Sequence, residues 1–117
     1  MALRDFYALL DVNFDEVIAR LRREDRIVLY LEQTLSDPSF GILDDAMKRR
    51  DYETAFRAAH TIKGMSLNLV LSPLAQTASD LVECLRGGVS DEAEAVALYH
   101  RFKTRVDQTN AAAKEFL

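Results

Sequence analysis

The chain has 117 residues, 49% of them hydrophobic, and a formal net charge of −4, a profile that suits one domain with a single core. The acidic balance excludes a general attraction to nucleic-acid phosphates, the longest basic run being Lys48-Arg49-Arg50. No apolar run approaches the roughly twenty residues that a membrane span needs, and the single Cys84 excludes an internal disulfide.

Met1 to Asp11 carries early acidic residues and no small-residue cleavage site, so the expectation is a single cytoplasmic domain over residues 1–117. Glycine and proline number four and two and fall between periodic segments, which makes the expected class all-α. Asn13 followed by Glu16 reads as a capping box opening a short helix to about Arg22, with Phe14, Val17, Ile18 and Leu21 on one stripe and a role as a lid. A second segment runs from about Asp25 to Leu35 with Ile27, Leu31, Thr34 and Leu35 inward, ending where Asp37-Pro38 begin a new helix. That helix, to about Arg50, has Ile42, Leu43, Ala46 and Met47 as its stripe, and its closing basic residues suit the helix dipole.

Asp51 then caps a helix that continues to about Leu69. Ser72-Pro73 open the next, with Leu74, Ala75, Ala78, Leu81, Val82 and Leu85 inward and Gly87-Gly88 as a left-handed terminator. Ser90 is expected to cap the last helix, which buries Leu98, Tyr99, Phe102, Val106, Thr109, Ala113 and Phe116 and ends near Phe116. Short connections make neighbours antiparallel, so the expected architecture is an up-down four-helix bundle with one or two additional N-terminal helices.

The helix opened by Asp51 carries the chemistry. A helix advances about 100° per residue, which puts Ala55, Ala58, Ile62, Met65 and Leu69 at about 140° to 220° from His60. His60 is therefore expected in water. Glu53, Phe56, Lys63, Gly64 and Leu67 fall within about 60° of it, a strip of charge, apolar side chain and bare backbone. Neutral imidazole is a nucleophile and the major form of an unperturbed histidine at neutral pH. Lys63, one turn on, favours a negative charge placed on His60 by a few tenths of a kcal/mol, roughly. Gly64 leaves room for a partner to approach, and a glycine in mid-helix otherwise costs about 1 kcal/mol without return. Glycine-rich loops and paired carboxylates for Mg²⁺ are missing, so a partner must bring the rest of the phosphoryl-transfer machinery. His100 also faces outward but has no glycine beside it and reads as solvated surface, while Cys84 and Met65 read as packing.

The stretch Ala58-Ala59-His60-Thr61-Ile62-Lys63-Gly64-Met65-Ser66-Leu67-Asn68-Leu69, with Asp51-Tyr52-Glu53, Ala55 and Phe56 before it and Leu74-Ala75 after it, resembles the histidine-containing phosphotransfer (HPt) domain family. The resemblance covers roughly Leu31 to Arg86 and is most specific in His60-x-x-Lys63-Gly64. It implies a four-helix bundle, His60 as the phosphorylated residue, Lys63 as phosphate neighbour and Gly64 as access residue. It also implies response-regulator receiver domains and hybrid histidine kinases as partners. Glu53, Phe56, Arg57 and Leu67 are then the candidate partner contacts on a monomer that needs no cofactor and has no nucleotide-dependent kinase activity. The chain departs from the family pattern at Met65, where a small residue is usual, at Val70, where glycine is usual, and at Val82, where many members place a Gln or Glu beside the histidine. Here Glu83 stands one position later.

Two other readings use the same residues. In the dimerisation and phosphoacceptor domain of a histidine kinase, an acidic residue follows the histidine and a proline comes soon after, whereas Thr61 follows here and the next proline is Pro73. A helical adaptor with an incidental histidine would tolerate His60→Gln without loss of partner function.

Overall fold

The computed structural model describes residues Met1–Leu117 and contains seven helices and no strand. They are α1 (Leu3–Leu9), α2 (Phe14–Leu21), α3 (Glu24–Leu35), α4 (Ser39–Lys48), α5 (Tyr52–Asn68), α6 (Ser72–Leu85) and α7 (Glu92–Phe116). The last four form the bundle, with α5 packed along both α4 and α6, and α6 along α7. Turns of a few residues link consecutive bundle helices, which forces neighbours to run antiparallel. No helix is long and apolar enough to cross a membrane.

The α4–α7 contact is made by long side chains. Phe40 stacks on Phe102 with ring centroids 6.5 Å apart, and Asp44 accepts hydrogen bonds from the Tyr99 hydroxyl and, at 3.0 Å, from the Lys103 ammonium. Burial, aided by Asp44, pushes the Tyr99 hydroxyl well above its ordinary range, so this tyrosine stays a donor. Turning Asp44 toward α7 carries Ile42 outward. Ile42 was expected inside and is instead 46% exposed, while Leu43 and Ala46 are buried and Met47 half-buried.

Three helices precede the bundle, one more than the patterning suggested. The additional one is α1, whose Asp5 carboxylate accepts from the Ala2 N–H at 2.9 Å. Phe6 packs against Phe116 of α7, and the buried Tyr7 hydroxyl donates to the Leu69 carbonyl at 2.6 Å. These contacts seat α1 over the end of the bundle where α5 gives way to α6, and Phe14 of α2 packs on Tyr7 in turn. The lid role expected of α2 is thus shared with α1.

Helix ends follow the sequence with three corrections. Asn13 accepts from the Asp15 N–H at 2.9 Å, but Glu16 does not close the box. Ser72 lies within the first turn of α6 and makes no capping bond. Asp91, not Ser90, caps α7 by accepting from the Glu94 N–H at 3.1 Å. At α2 and α7 the side chain that caps is the one the backbone geometry places two or three residues ahead of a free N–H, while α6 begins after Leu71 with no side-chain cap.

The turn after α5 fixes where the next helix starts. Leu71 N–H donates to the Ser66 carbonyl at 2.9 Å and Val70 N–H to the Leu67 carbonyl at 3.1 Å, with Val70 at φ +56°, the pairing of a Schellman motif. The same pattern ends α1 at Asp11 and α4 at Arg50, both at positive φ and neither a glycine. α6 ends differently, in a turn where Arg86 is extended (φ −61°, ψ 123°) and the Gly88 N–H donates to the Leu85 carbonyl at 3.2 Å, with Gly87 at φ +73° and Gly88 at φ +110°.

Arg22 is the strained residue with least return. It is exposed, sits at φ +67°, ψ −36°, and forms the centre of a γ-turn in which Arg23 N–H donates to the Leu21 carbonyl at 2.8 Å. Arg22→Gly is therefore expected to raise unfolding stability by about 0.5–1 kcal/mol, read as a higher urea midpoint with unchanged slope.

Candidate functional site

Helix α5 sits between two neighbours, and its sequence shows how it can. Ala55, Ala58, Ala59, Ile62 and Ser66 are the buried residues, four of them small enough to let α4 and α6 approach closely. Ser66 takes the fully buried place, and Met65, expected inside, is only half-buried. The Ser66 hydroxyl has no hydrogen-bond partner. The N-terminus is fixed by Asp51, whose carboxylate accepts from both the Thr54 N–H at 3.2 Å and the Thr54 hydroxyl at 2.7 Å. Those two bonds, with Arg49 and Arg57 adding their charge, hold the Asp51 carboxyl below its usual range.

With that face buried, His60 is exposed, as its helical position requires. Phe56, one turn earlier, lies with its ring centroid 6.1 Å from the imidazole at an interplanar angle of 47°. Lys63 is half-buried, and Leu67 is 46% exposed. Glu53 and Arg57 pair with each other at 3.1 Å on the exposed face, an i,i+4 contact worth a few tenths of a kcal/mol, roughly. All seven residues singled out from the sequence, Glu53, Phe56, Arg57, His60, Lys63, Gly64 and Leu67, therefore share one side of α5.

Gly64 is exposed, and a Cβ added there would meet nothing within 4 Å. Packing inside this chain does not call for a glycine at that position. Gly41, in contact with nothing comparable, is equally free.

The imidazole finds no partner on the neighbouring helix. Hydrogen bonds from side chains of α5 and the body of α6 run from Tyr52 to Glu92 of α7, from Thr54 to Asp51, from Arg57 to Glu53, from Thr61 to the Arg57 carbonyl, from Gln76 to Asp80, and from Thr77 to the Pro73 and Leu74 carbonyls, and none reaches His60. Val82 is fully buried and Glu83 points to solvent, where it accepts from Arg86 at 3.0 and 3.3 Å. Arg86 was not singled out from the sequence. Its guanidinium lies 5.3 Å from the Phe56 ring centroid, which joins α6 to the strip around His60. The signal was available: Arg86 follows Glu83 by three residues and immediately precedes Gly87-Gly88. The Glu83 carboxyl is held below its usual range, first by the Arg86 hydrogen bonds and charge and, more weakly, by the charge of Lys63.

The remaining reactive types behave as structure. Cys84 is half-buried, and burial, with Glu94 and Asp91 nearby, pushes its thiol above the ordinary range, the opposite of an activated nucleophile. His100 is exposed with its ring edge-on to Tyr99 at 6.1 Å. No group of three or more His, Cys, Asp or Glu side chains is placed to hold a metal ion.

Compared with known families, the chain matches the model of the Hpt domain over residues 29–112, which takes in α4, α5 and α6, α7 up to its last turn, and the C-terminal half of α3. No curated protein and no solved structure gives a significant match.

Since nothing in the chain packs against Gly64, Gly64→Ala is expected to stabilise the protein by about 0.5–1 kcal/mol through higher helix propensity, measured by urea unfolding. A loss of stability would mean that the glycine serves the fold.

Proposed function

The chain belongs to the Hpt domain family, and on that premise we propose that His60 is its phosphoryl acceptor, taking the group from a receiver-domain aspartate, or from a kinase, and passing it on in a multistep relay. The family as a whole carries histidine phosphotransfer within phosphorelays, working with receiver domains and kinases. The observation that carries the reading for this chain is an exposed imidazole, free of hydrogen bonds, beside a lysine and a glycine that internal packing does not require.

The step exchanges one bond for another. The lone pair of the unprotonated ring nitrogen attacks phosphorus, forming a P–N bond, and the electron pair of the broken P–O bond returns to the aspartyl carboxylate. The other ring nitrogen keeps its proton or releases it to water. The partner supplies the metal that neutralises its acyl phosphate, because this chain has no group of side chains suited to one. Lys63 offsets the charge arriving on His60, and Gly64 lets the donor close to in-line distance. Phe56 and Leu67, with the Glu53–Arg57 pair beside them, form the surface on which the receiver rests. So small an apolar strip suits a transient partner and a monomeric carrier. A cytoplasmic location and the absence of nucleotide-dependent kinase activity belong to the same proposal.

The test mixes the protein with a phosphorylated receiver domain and Mg²⁺ and follows radiolabel between them. Wild type is expected to take label, and His60→Gln to take none while keeping its helical circular-dichroism spectrum. Gly64→Ala is expected to slow transfer by about tenfold even though it is the more stable protein, because a misplaced donor loses near-attack geometry. Undiminished labelling of His60→Gln would contradict the proposal. Absence of transfer to wild type from several receivers would favour the adaptor.

A further inference from the structure

The ion pair on α6 runs alongside the histidine. On α5, Phe56, His60 and Lys63 stand one turn apart in succession. On α6, Arg86 lies against Phe56, at one end of that succession, and Glu83 lies in the field of Lys63, at the other. Glu83 and Arg86 are three residues apart and bonded at 3.0 and 3.3 Å, and because α6 runs antiparallel to α5 the pair runs along the stretch of α5 that begins at Phe56 and leads to His60. Val82, on the same helix, is fully buried and apolar and offers the imidazole no hydrogen bond. What the strip has instead is an anion bonded to Arg86 and lying in the field of Lys63.

We infer that Glu83 sets the phosphoryl-transfer equilibrium of this protein by competing with a phosphoryl group on His60 for Lys63 and Arg86. This rests on the reading of His60 as the phosphoryl acceptor. In the resting protein the carboxylate holds Arg86 and draws on Lys63. When the P–O bond on the donor aspartate is exchanged for a P–N bond on His60, a dianion arrives between the same two cations, and Glu83 both repels it and retains its counter-charges. The phosphorylated form is thereby kept high in free energy, and the domain gives up its phosphoryl group readily. Removing the Glu83 charge leaves Lys63 and Arg86 free for the phosphoryl group and makes the domain a better sink. Removing the Arg86 charge leaves the Glu83 repulsion and makes it a poorer one.

The experiment brings wild type, Glu83→Gln and Arg86→Gln to equilibrium with the same phosphorylated receiver domain and Mg²⁺, and measures the ratio of phosphorylated to free domain at low and high salt. Glu83→Gln is expected to raise the ratio by about two- to fivefold at low salt, the range of a single exposed charge interaction, and to lose most of that gain at high salt. Arg86→Gln is expected to lower it under the same conditions. Both substituted side chains are exposed enough for the fold to survive, which circular dichroism checks. A ratio unchanged in Glu83→Gln, or lowered by it, overturns the inference while leaving His60 as acceptor. If wild type takes no phosphoryl group, the reading beneath it fails, and the inference with it.

Discussion

Ala55, Ala58, Ala59 and Ser66 let α4 and α6 close on one helix from two sides, and the placement of every candidate site residue depends on that double burial. A helix clamped along one face has no freedom to rotate. His60, Lys63 and Gly64 are therefore held outward by the packing of residues that share no chemistry with them, and the imidazole gains its exposure without any dedicated support. The ends of the helix are fixed with equal economy, by Asp51 on the Thr54 backbone and hydroxyl at one end and by the Schellman turn through Val70 at the other. Tyr7 then ties the Leu69 carbonyl to α1, so the N-terminal helices brace the far end of α5 and leave the histidine strip uncovered.

The strip is chemically incomplete by itself. It offers a nucleophile, a nearby cation and open backbone, but neither a metal cluster nor a second group on the imidazole. In the proposed function it is half of a site, which the partner's donor group completes. In the proposed reading its own lever on the reaction is the local charge near His60, set by Lys63, Glu83 and Arg86 rather than by a hydrogen bond to the ring.

Much of this was legible in the residues because helical periodicity and capping chemistry are local. All six residues expected inward on α6, Leu74 to Leu85, are buried, and Asp51, Gly87 and Gly88 end their helices where their conformational preferences put them. What periodicity does not carry is how a helix is turned by a specific partner. Ile42 faces solvent because Asp44, a polar residue with no place in an apolar stripe, is drawn to Tyr99 and Lys103 some sixty positions away in the chain. Met65 is only half-buried, and the fully buried place beside it goes to Ser66. α1 was hidden because its stabilisation comes from Phe116 and the Leu69 carbonyl, contacts with the other end of the sequence. At the site, the outward strip was readable from angle alone, whereas the stacking of Arg86 on Phe56 depended on the register between two helices.

The central claim is that one side chain, His60, receives the phosphoryl group. The most direct measurement is mass spectrometry of the protein after incubation with a phosphorylated receiver domain, under neutral conditions that preserve acid-labile phosphohistidine. The account predicts a single added phosphoryl group on the peptide containing His60 and none on the peptide containing His100. Phosphate on His100, on both histidines equally, or on a serine or threonine would contradict it.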